Sequence, residues 1–151
     1  KITLGGWLAG ALLWHFAAMW LLVINGLAYL IVGLATGRFR RKLLPITLSG
    51  LFADIKAALT FSLSHGDLST YNYVQRLLYA GIIVVGVVTV LSGLSIWKPV
   101  QFQWLTALFG GYDFARYVHF TCMALIVAFL VVHVALALLV PKSLRAMIIG
   151  R

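Results

Sequence analysis

The stretch Phe114–Val140, FARYVHFTCMALIVAFLVVHVALALLV, decides how this chain is read. Its 27 residues hold a single cation and no anion, and a helix of that length exceeds the roughly 30 Å hydrocarbon layer of a bilayer. His119 and His133 stand fourteen positions apart inside it, which on a helix leaves them about 40° apart around the axis and about 21 Å apart along it. The two imidazoles therefore share one face at two depths. Histidine within a membrane span is costly and marks a pathway, a relay or a ligand site, and two stacked on one helix suggest two cofactors, one per leaflet. The competing reading gives each imidazole only a hydrogen bond to a neighbouring helix.

Composition fixes the medium. The mean hydropathy is +1.04, 63% of residues are apolar and 10% are charged, which excludes a water-soluble domain with a polar surface. Twelve Lys and Arg face three acidic residues, all Asp, for a net charge of +9. That excess would suit nucleic acid, but the cations cluster at the ends of apolar runs, where anionic headgroups and the positive-inside rule account for them. Nucleic-acid binding is set aside. The single cysteine, Cys122, allows no internal disulfide, no thiolate cluster and no C-x-x-C-H haem attachment, so it is read as a small buried apolar residue.

Working outward, a first span is expected over about residues 6–35, with His15 in its upper half; Gly26 falls about 20° from His15 around the helix and Gly33 directly below it. These glycines either form a smooth groove where a flat macrocycle approaches the backbone or serve ordinary small-residue helix packing. Gly37-Arg38-Phe39-Arg40-Arg41-Lys42 ends the span as a cytoplasmic boundary. From Leu48 to about residue 63 the pattern is that of an amphipathic helix lying on the inner surface, with Leu51, Ile55, Ala58, Leu59 and Ser62 along one side. His65 follows in a polar turn and is read as a loop histidine.

A second span is expected over about 74–97, with Gly81, Gly86 and Gly93 suited to close helix contact. The nearly uncharged loop after Pro99 reads as a short outer-face helix and turn ending at Gly110-Gly111, and Asp113 is placed to N-cap a third span over about 114–140. Nine cations (Arg38, Arg40, Arg41, Lys42, Lys56, Arg76, Lys142, Arg145, Arg151) then fall inside and three (Lys1, Lys98, Arg116) outside, so the chain's N-terminus is expected outside and its C-terminus in the cytoplasm.

Depth decides which histidines can meet. His15 stands twenty residues above Ala35 and His119 twenty-one above Val140, about 30 Å each. The two are level on spans running in the same direction, able to ligate one metal from opposite sides. His133 stands only seven residues above the inner boundary, about 10 Å, and no histidine here matches that depth. With no acidic residue in the hydrocarbon part of any span, carboxylate-bridged centres are improbable, and zinc would want more N or S ligands. A bis-imidazole haem needs one His on each face of a flat apolar porphyrin. Arg116, one turn above His119, is a candidate partner for a propionate, with an interfacial anchor as the alternative.

The ordered motifs Trp14-His15-Phe16, Met19-Trp20-Leu21, Asn25-Gly26-Leu27-Ala28-Tyr29, Gly37-Arg38-Phe39-Arg40-Arg41, Tyr71-Asn72, Gln75-Arg76, Phe109-Gly110-Gly111, Ala115-Arg116-x-x-His119-Phe120 and His133 strongly resemble the bacterial dihaem cytochrome b561 family. That family includes the b-type subunits of formate dehydrogenases, nickel-iron hydrogenases and thiosulfate reductase-like enzymes. The resemblance is closest to the branch that accompanies molybdopterin oxidoreductases, and it covers nearly the whole chain.

The resemblance implies an all-α integral membrane protein, a single cytochrome b domain over residues 1–151 built on a four-helix bundle, of which three spans are present here. It pairs His15 with His119 on one haem b and His133 with a histidine of a preceding helix absent from this sequence. The chain starts at Lys1 without Met, so an N-terminal helix is expected to be missing; otherwise another subunit supplies the ligand, or the inner haem is absent. The resemblance also implies electron transfer between membrane quinone and a periplasmic or membrane partner such as a molybdoenzyme, a hydrogenase or an electron carrier. Tyr71, Asn72 and Gln75, near the inner boundary, are candidate quinone contacts, with helix capping and interfacial anchoring as the alternative. A bacterial inner-membrane electron-transfer subunit is the expectation. Two alternatives stand beside it: a stand-alone cytochrome b561 acting on a small species such as superoxide, and a haem-free packing or proton-relay protein.

Overall fold

The computed structural model describes residues 7–59 and 72–139. The described residues form six α-helices and no strand: α1 (Leu8–Ala35), α2 (Arg38–Leu43), α3 (Leu48–Leu59), α4 (Tyr73–Trp97), α5 (Gln103–Leu108) and α6 (Tyr112–Leu139). α1, α4 and α6 are the three expected spans, each long and apolar enough to cross a membrane. A helix is required there because hydrocarbon offers no water to the backbone, so each N–H and C=O must be paired within its own segment. No more than 11% of the apolar centre of any span is buried against protein. Large side chains such as Leu13, Trp14 and Leu21 on α1 and Phe120, Leu130 and Val131 on α6 are exposed. A water-soluble fold would hide them; here lipid covers them.

The chain divides into two compact units between Leu77 and Leu78. The first holds α1, α2, α3 and the opening turn of α4. α1 ends where Gly37 enters the left-handed region at φ 63°, a conformation that favours glycine, and the Gly37 N–H reaches back to the Leu34 carbonyl at 3.1 Å. The turn sends α2 back along α1, so that Phe39 packs its ring on Gly33 and lies 5.3 Å from the Tyr29 ring. Arg38, Arg40, Arg41 and Lys42 are left exposed on α2.

α3 is helical, as the amphipathic pattern predicts, over its described length Leu48–Leu59. Thr47 accepts the Gly50 N–H at 3.3 Å to cap its start. Leu48, Phe52 and Ile55 are exposed along one stripe at i, i+4 and i+7, while Gly50 and Asp54 on the other side grip the start of α4. Gly50 leaves room for the Tyr73 ring, and Asp54 accepts the Val74 N–H at 3.3 Å. Arg76 donates to the Pro45 carbonyl at 3.1 Å and lies over the Tyr73 ring. His65, Tyr71, Pro141 and the end of the inner-surface helix beyond Leu59 lie outside the described residues.

The second unit holds the rest of α4 with α5 and α6. Among the described residues its interior is made mainly of small side chains, Thr89, Ser92 and Ser95 on α4 and Ala115 and Cys122 on α6, with Leu105 of α5 a large side chain fully enclosed. Small side chains let membrane helices approach closely. The three hydroxyls are satisfied by their own helix, Thr89 donating to Val85 at 2.7 Å, Ser92 to Val88 at 2.7 Å and Ser95 to Ser92 at 2.8 Å. Gly110 (φ 81°) and Gly111 (φ 107°) close α5, with Gly111 N–H to Thr106 and Gly110 N–H to Ala107 both at 2.9 Å, the two bonds of a Schellman ending.

One expectation changes here. α6 begins at Tyr112, so Asp113 stands in its first turn rather than at the cap, where its charge still complements the helix dipole.

Asp54→Ala removes the acceptor that caps α4 from another helix. It should lower stability by about 0.5–2 kcal/mol, read as an earlier thermal transition in detergent, while Asp54→Asn, which keeps a carbonyl acceptor, should lose less.

Candidate functional site

The four histidines are rare polar groups in an apolar chain, and the spans position three of them. α6 is continuous from Tyr112 to Leu139, so His119 and His133 do share one uninterrupted helix at the spacing read from the sequence. His119 is half-buried and turns toward α4. Its Nδ1 lies 3.0 Å from the Thr89 carbonyl oxygen and 3.2 Å from the Ser92 hydroxyl. Gly93 provides the clearance: a Cβ there would stand 3.1 Å from Cε1 of the imidazole, closer than an ordinary contact.

These partners assign the tautomer. A carbonyl oxygen can only accept, so Nδ1 carries the proton. In its neutral form the imidazole then carries its basic lone pair on Nε2, with the ring plane oriented by α4. A metal-ligating histidine is oriented in this way, its second nitrogen donating to a backbone carbonyl so that the first meets the metal. The donor chemistry of His119 thus fits an axial ligand of a haem iron.

His133 is half-buried, and its ring is stacked on Phe129 at 5.7 Å with 11° between planes. Phe129 in turn meets Tyr79 of α4 edge-on at 6.3 Å. The deeper histidine therefore has an aromatic setting where the upper one has a hydroxyl and carbonyl setting. His15 belongs to the first unit, exposed on α1 and edge-to-face with Phe16 at 5.8 Å. Among the described residues no three His, Cys, Asp or Glu side chains converge, so a multi-ligand zinc-type centre is not assembled from them.

The remaining candidates fall out unevenly. Arg116 is exposed and pairs with Asp113 at 3.5 Å, a surface pair contributing little on its own, and it lies over the Tyr112 ring. Gly26 is open, with nothing within 4 Å of where a Cβ would stand. At Gly33 the Phe39 ring of α2 occupies that side, brought there by the turn at Gly37, which supports the packing alternative for this glycine. Gln75 accepts the Asn72 N–H at 3.1 Å, the reciprocal half of a capping box, so the capping alternative has direct support for this pair.

Thr89 and Ser92 escaped the sequence reading, which took only the glycines of α4 as packing positions. Their signal was the spacing of Thr89, Ser92 and Ser95, three small hydroxyl residues at every third position of an otherwise aliphatic run.

Among the described residues, three apolar spans and an imidazole whose Nδ1 donates to a backbone carbonyl are features that a membrane cytochrome b would need. The family model of prokaryotic cytochrome b561 matches residues 2–150, and the chain belongs to that family. A protein of Azospira oryzae, provisionally named protein-methionine-sulfoxide reductase subunit YedZ1, is 55% identical over 150 residues, covering 99% of this chain and 76% of that protein. No solved structure matches. Family membership makes this a multi-pass haem b protein with a role in membrane electron transfer.

Gly93→Leu should drive a side chain into the space of the His119 ring. The expected result is loss of one haem from the reduced-minus-oxidised spectrum of the purified protein while its helical circular dichroism is retained.

Proposed function

We propose that this chain is the haem b subunit that links the quinone pool of a bacterial inner membrane to an oxidoreductase on the periplasmic side and anchors that partner to the membrane. The observation that carries the reading is the Nδ1–H of His119 donated to the Thr89 carbonyl, which prepares Nε2 for iron in a chain of the cytochrome b561 family. Haem b supplies one-electron storage when bound. The residues of this chain supply the ligands, the low-dielectric setting and the orientation.

In this reading His15 and His119, level by residue count on their spans, would hold an outer haem, and Gly26 is the open glycine on the His15 face. His133 is one ligand of an inner haem whose second histidine comes from outside the 151 residues. Arg116, paired with Asp113 at 3.5 Å, would hold a propionate of the outer haem. Quinone exchanges electrons near the inner end, where Tyr71, Asn72 and Gln75 cluster in sequence, with Gln75 offering the amide nitrogen left over from its capping bond.

The relative's name supports a reductase as partner, and for a sulfoxide reductase the electrons flow outward. Quinol oxidation releases two electrons and two protons, and reduction of a sulfoxide to thioether and water consumes the same number of each. The N-terminus of this chain lies on the periplasmic side, and its basic α2 and C-terminal cations face the cytoplasm.

His15→Ala and His119→Ala should each remove the same haem, seen as identical residual spectra, and His133→Ala should spare it. Loss of different haems in the first two variants would break the pairing. A purified wild-type chain with no haem band would return the histidines to packing or proton relay, and a chain that turned over superoxide rapidly without any partner would favour the stand-alone cytochrome.

A further inference from the structure

Three hydroxyls lie buried along α4, and they do not behave alike. Thr89 and Ser95 turn back to carbonyls of their own helix, Val85 and Ser92 respectively. Ser92 also faces carbonyls of its own helix, the nearer Val88 at 2.7 Å and Thr89 at 3.1 Å, yet its oxygen stands 3.2 Å from Nδ1 of His119. A hydroxyl has one proton. With that proton directed at Val88, the Ser92 oxygen presents a lone pair to the imidazole and shares the Nδ1 proton with the Thr89 carbonyl.

Resting on the haem reading above and deepening it, we infer that Ser92 is a positioning residue that sets the redox potential of the haem held by His119. The physical link is short. Accepting the Nδ1 proton increases electron density on Nε2, and a more basic axial imidazole favours ferric over ferrous iron. Ser92 is fully buried, so no water competes for the proton and the bond acts in a low dielectric. Its neighbour Gly93 lets the ring come this close. The Thr89 carbonyl holds the ring in place whatever residue stands at position 92, because it belongs to the backbone; the hydroxyl is the part of the pair that a side chain controls.

The test is an optical redox titration of the purified haem-loaded protein, with electron paramagnetic resonance of its ferric form, for Ser92→Ala, Ser92→Thr and Ser95→Ala. Ser92→Ala should retain haem and shift one couple to higher potential, by up to about tenfold in the redox equilibrium, about 59 mV for one electron. Ser92→Thr, which keeps the hydroxyl, should restore the wild-type value. Ser95→Ala, which empties a buried hydroxyl site against the same helix, should leave it unchanged.

An unshifted couple in Ser92→Ala with full haem overturns the inference, as does an equal shift in Ser95→Ala, which would trace the effect to packing. If Ser92→Ala loses haem, Ser92→Cys replaces it: a thiol is a weak acceptor, so a potential above that of Ser92→Thr supports the inference and an equal one overturns it. The shifted couple must also be the one that disappears in His119→Ala. A wild-type chain without haem would sink the haem reading and this inference together, whereas haem with an unshifted couple sinks only this one.

Discussion

Inside a bilayer there is no water to complete a hydrogen bond, and most of what this chain does structurally follows from that. The three spans are helices because only a helix pairs its own backbone. A histidine within them needs a partner for its N–H, and for His119 that partner is the Thr89 carbonyl. One bond thus fixes the orientation of the ring, the identity of its protonated nitrogen and the direction of its lone pair. The contact in turn requires α4 to offer small residues, which is why Ser92 and Gly93 stand where the aliphatic run would otherwise continue.

The same constraint inverts the usual distribution of residues. Most of the Leu, Val, Phe and Trp side chains described lie outward, while in the second unit Ala115, Cys122, Ser92, Ser95 and Thr89 are enclosed together with Leu105. Burial of apolar surface does little to bring helices together in lipid, since the tails are as apolar as the side chains; close packing and hydrogen bonds do it instead. Water returns at the membrane surface, and the vocabulary changes with it. There the first unit uses a capping threonine, an aspartate reaching across to another helix, a glutamine accepting the Asn72 N–H and an arginine donating to a carbonyl.

Much of this was legible in the sequence, and in a graded way. The three spans, the basic end of the first, the amphipathic helix α3 and the short helix before Gly110-Gly111 followed from periodicity, charge and turn residues, because each depends on neighbours within a few positions. One local reading shifted and one open alternative was favoured. The α6 helix starts at Tyr112, so Asp113 moves into the first turn. Gly33 is covered by Phe39, because a left-handed Gly37 folds the basic stretch back along α1 instead of letting it trail away.

The sequence by itself determined the medium, the membrane-spanning helices, the identity of the three intramembrane histidines and the two depths of His119 and His133, since hydropathy and helical rise are properties of a chain read one segment at a time. The family followed from the order and spacing of its motifs. Only the tertiary structure decided which atoms of α4 the His119 ring meets. That contact joins residues 27 and 30 positions apart, and its register is set by how the small side chains of two helices interlock, which no single-segment pattern encodes. The tautomer of His119 and the separate part played by Ser92 belong to that packing.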